Sequence, residues 1–153
     1  MTETKQTESY ILIVEDSAVD YEITTRALRK AGIGQDFFRC EDGDQALDFL
    51  LGVDAPILRK GSPDMILLDL NLPGTDGREV LRQIKTHDDT RKIPVVVLTT
   101  SIHDKDVEVC YQTGANSYVK KPTRPDDYVE IAESLKSFWF DRATLPEERQ
   151  GIV

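Results

Sequence analysis

Three runs of uninterrupted apolar residues punctuate the chain: Tyr10 to Val14, Met65 to Leu68, and Ile93 to Leu98. None alternates apolar with polar, as a half-exposed strand would. Each therefore reads as a strand buried on both faces, the pattern of a parallel sheet. Two weaker segments, the edge-like Asp36–Cys40 and Asn116–Val119, bring the strands to five. Helical patterns lie between them. Ser17 is a fitting N-cap, with Asp20 and Glu22 placing negative charge in the first turn. That helix runs to Lys30 with Val19, Ile23, Ala27 and Leu28 inward, and Gly32 and Gly34 stop it. Further helices cover Gln45–Leu51, Gly77–Thr86 (Val80, Leu81 and Ile84 inward), Asp104–Thr113 and Asp126–Phe140. Pro125 suits the start of the last one. The stretch from Gly52 to Pro63 is longer than an ordinary connection and reads as an embellished surface loop, with Arg59 and Lys60 solvated.

Strands alternating with helices imply right-handed βαβ units and a sheet covered on both faces. The expectation is an α/β fold: a flavodoxin-like, doubly wound, five-stranded parallel sheet of order 2-1-3-4-5 with five helices, (βα)5. Residues 1–8 read as a disordered polar arm, 9–140 as one domain, and 141–153 as a charged tail too short to form an output domain.

Composition narrows the partners. The 153 residues are 39% hydrophobic and 31% charged, as in an ordinary soluble domain. No apolar run approaches the ~20 residues that span a bilayer, and the polar N-terminus lacks an export signal, so a cytoplasmic protein is expected. A net charge of -9 argues against nucleic-acid binding. Cys40 and Cys110 lie far apart, as free thiols in a reducing compartment would. His87 and His103 have no ligand spacing.

In such a sheet the strands' carboxyl ends share one rim, where open α/β folds place reactive groups. Glu15-Asp16 follows the first strand, Asp69 the third, Thr99-Thr100 the fourth and Lys121 the fifth. Three carboxylates close together require a cation to stay ionised. Oxygen donors suit Mg²⁺, or Mn²⁺, with Asp16 and Asp69 as direct ligands, the Asn71 main-chain carbonyl as a third, and Glu15 direct or through water. Asp69 is then a candidate nucleophile towards phosphorus, forming an aspartyl phosphate. Lys121 pairs with Asp69 and then with phosphoryl oxygens, and the Thr99 hydroxyl donates to one of them. Each residue alone also fits a plainer role: a capping acidic pair, a loop acid, a structural threonine, a solvated lysine. Their joint placement at the strand ends favours the chemical reading.

Val14 to Ser17, Leu67 to Gly77, Pro94 to Thr99 and Gly114 to Pro122 together resemble the receiver domain of bacterial two-component response regulators. The resemblance covers about residues 9 to 140. It implies that Asp69 accepts a phosphoryl group from a histidine kinase, with Glu15 and Asp16 as the acidic metal pair. It further implies Thr99 as switch hydroxyl, Tyr118 as switch aromatic, Lys121 as the paired lysine, and a cis Lys121–Pro122 bond. The long loop before the third strand, Asp76 to Leu81, Val97 to Ser101 and Ser137 to Trp139 with Leu145-Pro146 are similar to small regulators paired with phytochrome kinases. That match implies a light-sensing kinase as partner. Thr100 departs from the small residue common after the switch threonine, which bears on phosphate lifetime.

Phosphorylation is expected to draw Thr99 inward and Tyr118 after it. This would reshape the face of helix Asp104–Thr113, strand Asn116–Val119 and the last helix. Adjacent Phe138, Trp139 and Phe140 cannot all face one core, so that face and the tail are expected to form a homodimer. The protein is not expected to be an enzyme beyond its own phosphorylation and dephosphorylation. The competing classes are an aspartate-based phosphohydrolase, weakened by Asn71 where that chemistry needs a second acid, and a phosphorylation-independent receiver-like or flavin-binding module.

Overall fold

The computed structural model describes residues 9–146; the arm 1–8 and residues 147–153 of the tail lie outside the described residues. Five strands, β1 (Tyr10–Val14), β2 (Asp36–Cys40), β3 (Met65–Leu68), β4 (Val95–Thr99) and β5 (Ser117–Lys120), pair in parallel in the order β2-β1-β3-β4-β5. The helices are α1 (Ala18–Lys30), α2 (Gly43–Leu51), α3 (Ile57–Lys60), α4 (Gly77–Thr86), α5 (Asp104–Thr113) and α6 (Pro125–Leu135). The expected topology and strand order are observed.

Because side chains alternate across a strand, the apolar runs feed two cores. Tyr10, Leu12, Val14, Ile66, Leu68, Val95 and Val97 face α2, α4 and Cys110. Ile11, Ile13, Met65, Leu67, Val96 and Leu98 face Ala27 and Leu28 of α1 and Tyr128, Ala132 and Leu135 of α6. β1, β3 and β4 are buried throughout, and each fully buried Leu, Ile or Val contributes about 1.5–3 kcal/mol of transfer free energy. Register then sets the rim. Val14 lies opposite Leu68, so Glu15 and Asp69 leave neighbouring strands at the same level. Thr99 lies opposite Lys120, and the Lys121 N–H donates to the Thr99 carbonyl at 2.7 Å.

Several expectations need correction. The expected five helices are six, because the long loop contains the short α3. Arg59 is exposed as expected, but Lys60 is only half-exposed: its ammonium lies 3.8 Å from the centre of the Phe38 ring, a cation–π contact across the loop. The last helix is α-helical only to Leu135 and continues as a π-helical stretch, Lys136–Arg142. That widening turns Phe138 outward, at 59% exposure, while Trp139 and Phe140 pack on the second core. Val19 is 66% exposed. The buried stripe of α1 is Thr24, Ala27 and Leu28, which is in phase with Asp20 four residues before Thr24 and not with Val19. Among the described residues no peptide bond is cis, so Lys121–Pro122 is trans, the isomer an X–Pro bond favours by about 0.5–1 kcal/mol.

Candidate phosphoacceptor site

The rim residues converge. Asp69 follows β3, and its N–H donates to the Val14 carbonyl at 3.1 Å, continuing the ladder one residue past the strand. Its carboxylate is buried and fully engaged. Oδ1 accepts from the Thr99 hydroxyl at 2.9 Å and from the Asn71 N–H at 3.1 Å. Oδ2 accepts from Lys121 Nζ at 2.8 Å. The loop that carries Asp69 returns to α4 through Gly77, whose N–H donates to the Leu70 carbonyl at 3.0 Å. A Cβ at Gly77 would collide with the carbonyl of Asp69 and the backbone of Leu70, so this approach requires glycine.

Glu15 is buried and Asp16 exposed. Their backbone is held from β2: Arg39 donates to the carbonyls of Glu15 and Asp16, both at 3.0 Å. Glu15 Oε2 accepts from the Ser17 N–H at 3.1 Å, and Ser17 caps α1 by accepting from the Asp20 N–H at 3.1 Å. One carboxylate oxygen each from Glu15, Asp16 and Asp69 lies within 4.8 Å of the other two. Three hard oxygen donors in that span fit an Mg²⁺- or Mn²⁺-type cation.

Lys121 enters from the end of β5, with a side chain 4% exposed. Its Nζ lies 2.6 Å from Glu15 Oε1 and 2.8 Å from both Asp20 Oδ2 and Asp69 Oδ2. An ammonium has three protons, and each meets a carboxylate from a different segment. Burial alone would lower the Lys121 pKa, but the bonds to Asp20, Asp69 and Glu15 more than offset it and hold it above the usual lysine range. Burial drives the Glu15 carboxyl above its usual range, against the opposing pull of Lys121. One lysine among several acids thus leaves the site rich in negative charge.

Glu15, Asp16, Asp69, Thr99 and Lys121 are therefore brought together. Asn71 is exposed, and its side-chain amide reaches the Thr100 hydroxyl at 3.4 Å. Thr99 is fully buried and already bonded to Asp69. Tyr118 is half-buried, its hydroxyl donating to the Ser101 carbonyl at 3.0 Å. Both hydroxyls are thus hydrogen-bonded to neighbouring strand-end segments. Ser101 Oγ also donates to Asp106 at 2.6 Å, and Arg78 grips Asp106 through two bonds of 2.7 Å. That α4–α5 bridge, Arg39 and Asp20 escaped the sequence reading. Only Asp20 had a usable signal, its phase on the buried stripe of α1.

The profile of the "Response regulator receiver domain" family matches residues 11–133. The chain is 38% identical over 146 residues to the response regulator Rcp1 of Synechocystis sp., covering 95% of this chain and 99% of Rcp1. The structure is similar to that of the Mn²⁺-bound form of Rcp1, with a TM-score of 0.82 at 39% identity over 91% of this chain and 99% of that one. It is also similar to RcpA, a phosphorylated cyanobacterial phytochrome response regulator, with a TM-score of 0.84 at 36% identity over 92% and 99% of the two chains. The parallel sheet, the acidic rim and these matches make this chain a member of the response regulator receiver domain family, related to phytochrome response regulators.

Proposed function

We propose that the protein accepts a phosphoryl group on Asp69 from the phosphohistidine of a histidine kinase and signals by phosphorylation-dependent protein contact. The observation that carries this reading is the Asp69 carboxylate at the end of the central strand, met by Thr99 at 2.9 Å and Lys121 at 2.8 Å beside Glu15 and Asp16. An Asp69 oxygen forms the new P–O bond while the donor's bond to phosphorus breaks and its electron pair leaves with the donor. Thr99 and Lys121 are placed to hold the oxygens of the transferred group. Glu15, Asp16 and Asp69, with the Asn71 carbonyl, would hold Mg²⁺ or Mn²⁺. When bound, that cation supplies charge neutralisation at the reacting phosphoryl group. The Mn²⁺-bound form of Rcp1 supports the metal choice, and the phytochrome association of RcpA supports a phytochrome kinase as upstream partner.

Thr99 and Tyr118 serve as the switch. Tyr118 is bonded to the residue two beyond Thr99, so a shift of Thr99 passes to the face of α5, β5 and α6. That face carries exposed Phe138 beside a groove lined by Val119, Ile131, Leu135 and Trp139. This supports a homodimer through that face and the tail. The protein has no separate substrate in this reading and works in the cytoplasm. The test is incubation with Mg²⁺ and acetyl phosphate, read by intact mass. Wild type gains one phosphoryl group and Asp69→Asn gains none; equal labelling of both would sink the assignment.

A further inference from the structure

We propose that Asp20 is a positioning residue for Lys121, fixing its ammonium while the other two partners of that ammonium change during phosphoryl transfer. The proposal rests on the reading of Asp69 as phosphoacceptor. Lys121 Nζ has three carboxylate partners: Glu15 at 2.6 Å, and Asp20 and Asp69 at 2.8 Å. Glu15 and Asp69 belong to the three-carboxylate cluster suited to a cation, and Asp20 does not. Glu15 and Asp69 would share their oxygens between Lys121 and a cation held there. Asp69 then becomes an acyl phosphate, and its charge passes to the phosphoryl oxygens. Of the three contacts, only the one to Asp20 stays chemically the same throughout.

The fold builds this contact deliberately. Asp20 lies in the first turn of α1, on the stripe that continues as Thr24, Ala27 and Leu28. That phase turns its carboxylate to the rim of the sheet. Lys121 arrives there from β5, 101 residues away in sequence. The N-cap hydrogen bond of α1 does not use the Asp20 side chain, because Ser17 Oγ accepts from the Asp20 backbone N–H. Lysine is a point charge on a flexible stem. Without Asp20, a metal-loaded site leaves its ammonium with weakened anchors, and misplacing a catalytic group by about 1 Å costs up to about 100-fold in rate.

The test uses Asp20→Asn and Asp20→Ala in the full chain, with three readouts. Labelling rates are measured with acetyl phosphate at saturating Mg²⁺. Divalent-ion affinity is measured by Mn²⁺ titration followed by electron paramagnetic resonance. The Lys121 ammonium is followed by ¹⁵N NMR of lysine-labelled protein with Mg²⁺ present. The expected result is a labelling rate lower by about 10- to 100-fold in Asp20→Ala. Asp20→Asn, which keeps an acceptor oxygen, should fall less. Mn²⁺ affinity should change far less than rate, and the Lys121 signal should shift or broaden. Labelling that is unchanged or faster overturns the proposal. So does a loss of Mn²⁺ affinity parallel to the loss of rate, which would make Asp20 a metal ligand. If wild type itself takes no label, the phosphoacceptor reading fails. The NMR arm then still judges the contact: an unchanged Lys121 signal in Asp20→Asn overturns it. Should Asp20→Ala fail to fold, Asp20→Asn alone decides.

Discussion

Replacing Lys121 by Met removes one charge while keeping a stem of similar length against Glu15, Asp20 and Asp69. A unit pair at 2.8 Å is worth about 6 kcal/mol at an effective dielectric near 20. Desolvation of the ammonium takes back part of that. What remains is the cost of orphaning carboxylates whose side chains are 5% (Glu15) and 6% (Asp69) exposed. Breaking a buried pair from one side costs about 3–5 kcal/mol, a large share of the roughly 5–15 kcal/mol that holds a domain together. The expected loss in EDTA is therefore about 3 kcal/mol or more, read from urea unfolding followed by circular dichroism. Two signatures should accompany it. Mg²⁺ should restore more stability to the variant than it adds to wild type, because the cation then meets uncompensated acids. The deficit should also shrink as pH falls. Burial already holds the Glu15 carboxyl above its usual range against the pull of Lys121; with the lysine gone that pull is lost, so the folded state binds more protons than the unfolded chain and gains stability on acidification. A loss below about 1 kcal/mol that responds to neither Mg²⁺ nor pH would refute the charge balance drawn here.

Other outcomes test the surroundings of the site. Gly77→Ala forces a methyl group into the Asp69 carbonyl and Leu70 backbone; it should cost about 1–3 kcal/mol or more and abolish labelling of Asp69 by acetyl phosphate. Lys85 Nζ donates to the carbonyls of Arg91 and Ile93 at 3.1 and 2.7 Å, and burial pulls its pKa down to about 8. Between that value and the unfolded value of about 10.4 the unfolded chain binds more protons, so stability should rise with pH. Lys85→Met should flatten that rise in thermal melts across the same window. Burial pushes the Cys40 thiol up to about 12. It should therefore resist a disulfide-exchange reagent such as DTNB at pH 8 in the native protein and react at once in urea; fast native reaction would contradict its burial.

How much of this was legible beforehand follows from where each piece of information resides. β1, β3 and β4 are buried on both faces, so their apolar runs announced them, and the polar residues that end them marked the rim. Register then did the rest: Val14 opposite Leu68 and Thr99 opposite Lys120 bring Glu15, Asp69, Thr99 and Lys121 together. Of the expected inward residues of α1, Ile23, Ala27 and Leu28 do pack on the second core; only Val19 turns out, at 66% exposure, and the first-turn position facing the rim is held by the charged Asp20, which an apolar pattern does not mark. Lys60 on Phe38, Arg78 on Asp106 and Arg39 on the Glu15 backbone join segments with no local pattern linking them. The bonds of Thr99 to Asp69 and of Tyr118 to the Ser101 carbonyl join residues 30 and 17 apart in sequence, and no local pattern links them. The helical pattern after Leu135 is continuous in sequence, and the π-helical winding of Lys136–Arg142, with Trp139 and Phe140 on the second core, is a tertiary outcome that it does not distinguish from an α-helix.

The central claim is that Asp69 is the residue that carries the phosphoryl group. The most direct measurement labels the protein with acetyl phosphate and Mg²⁺, reduces the acyl phosphate with borohydride, and maps the modified peptide by mass spectrometry. Reduction is expected at Asp69 alone, dependent on Mg²⁺ and absent from Asp69→Asn. Reduction at any other carboxylate, or a label that survives in Asp69→Asn, would contradict it.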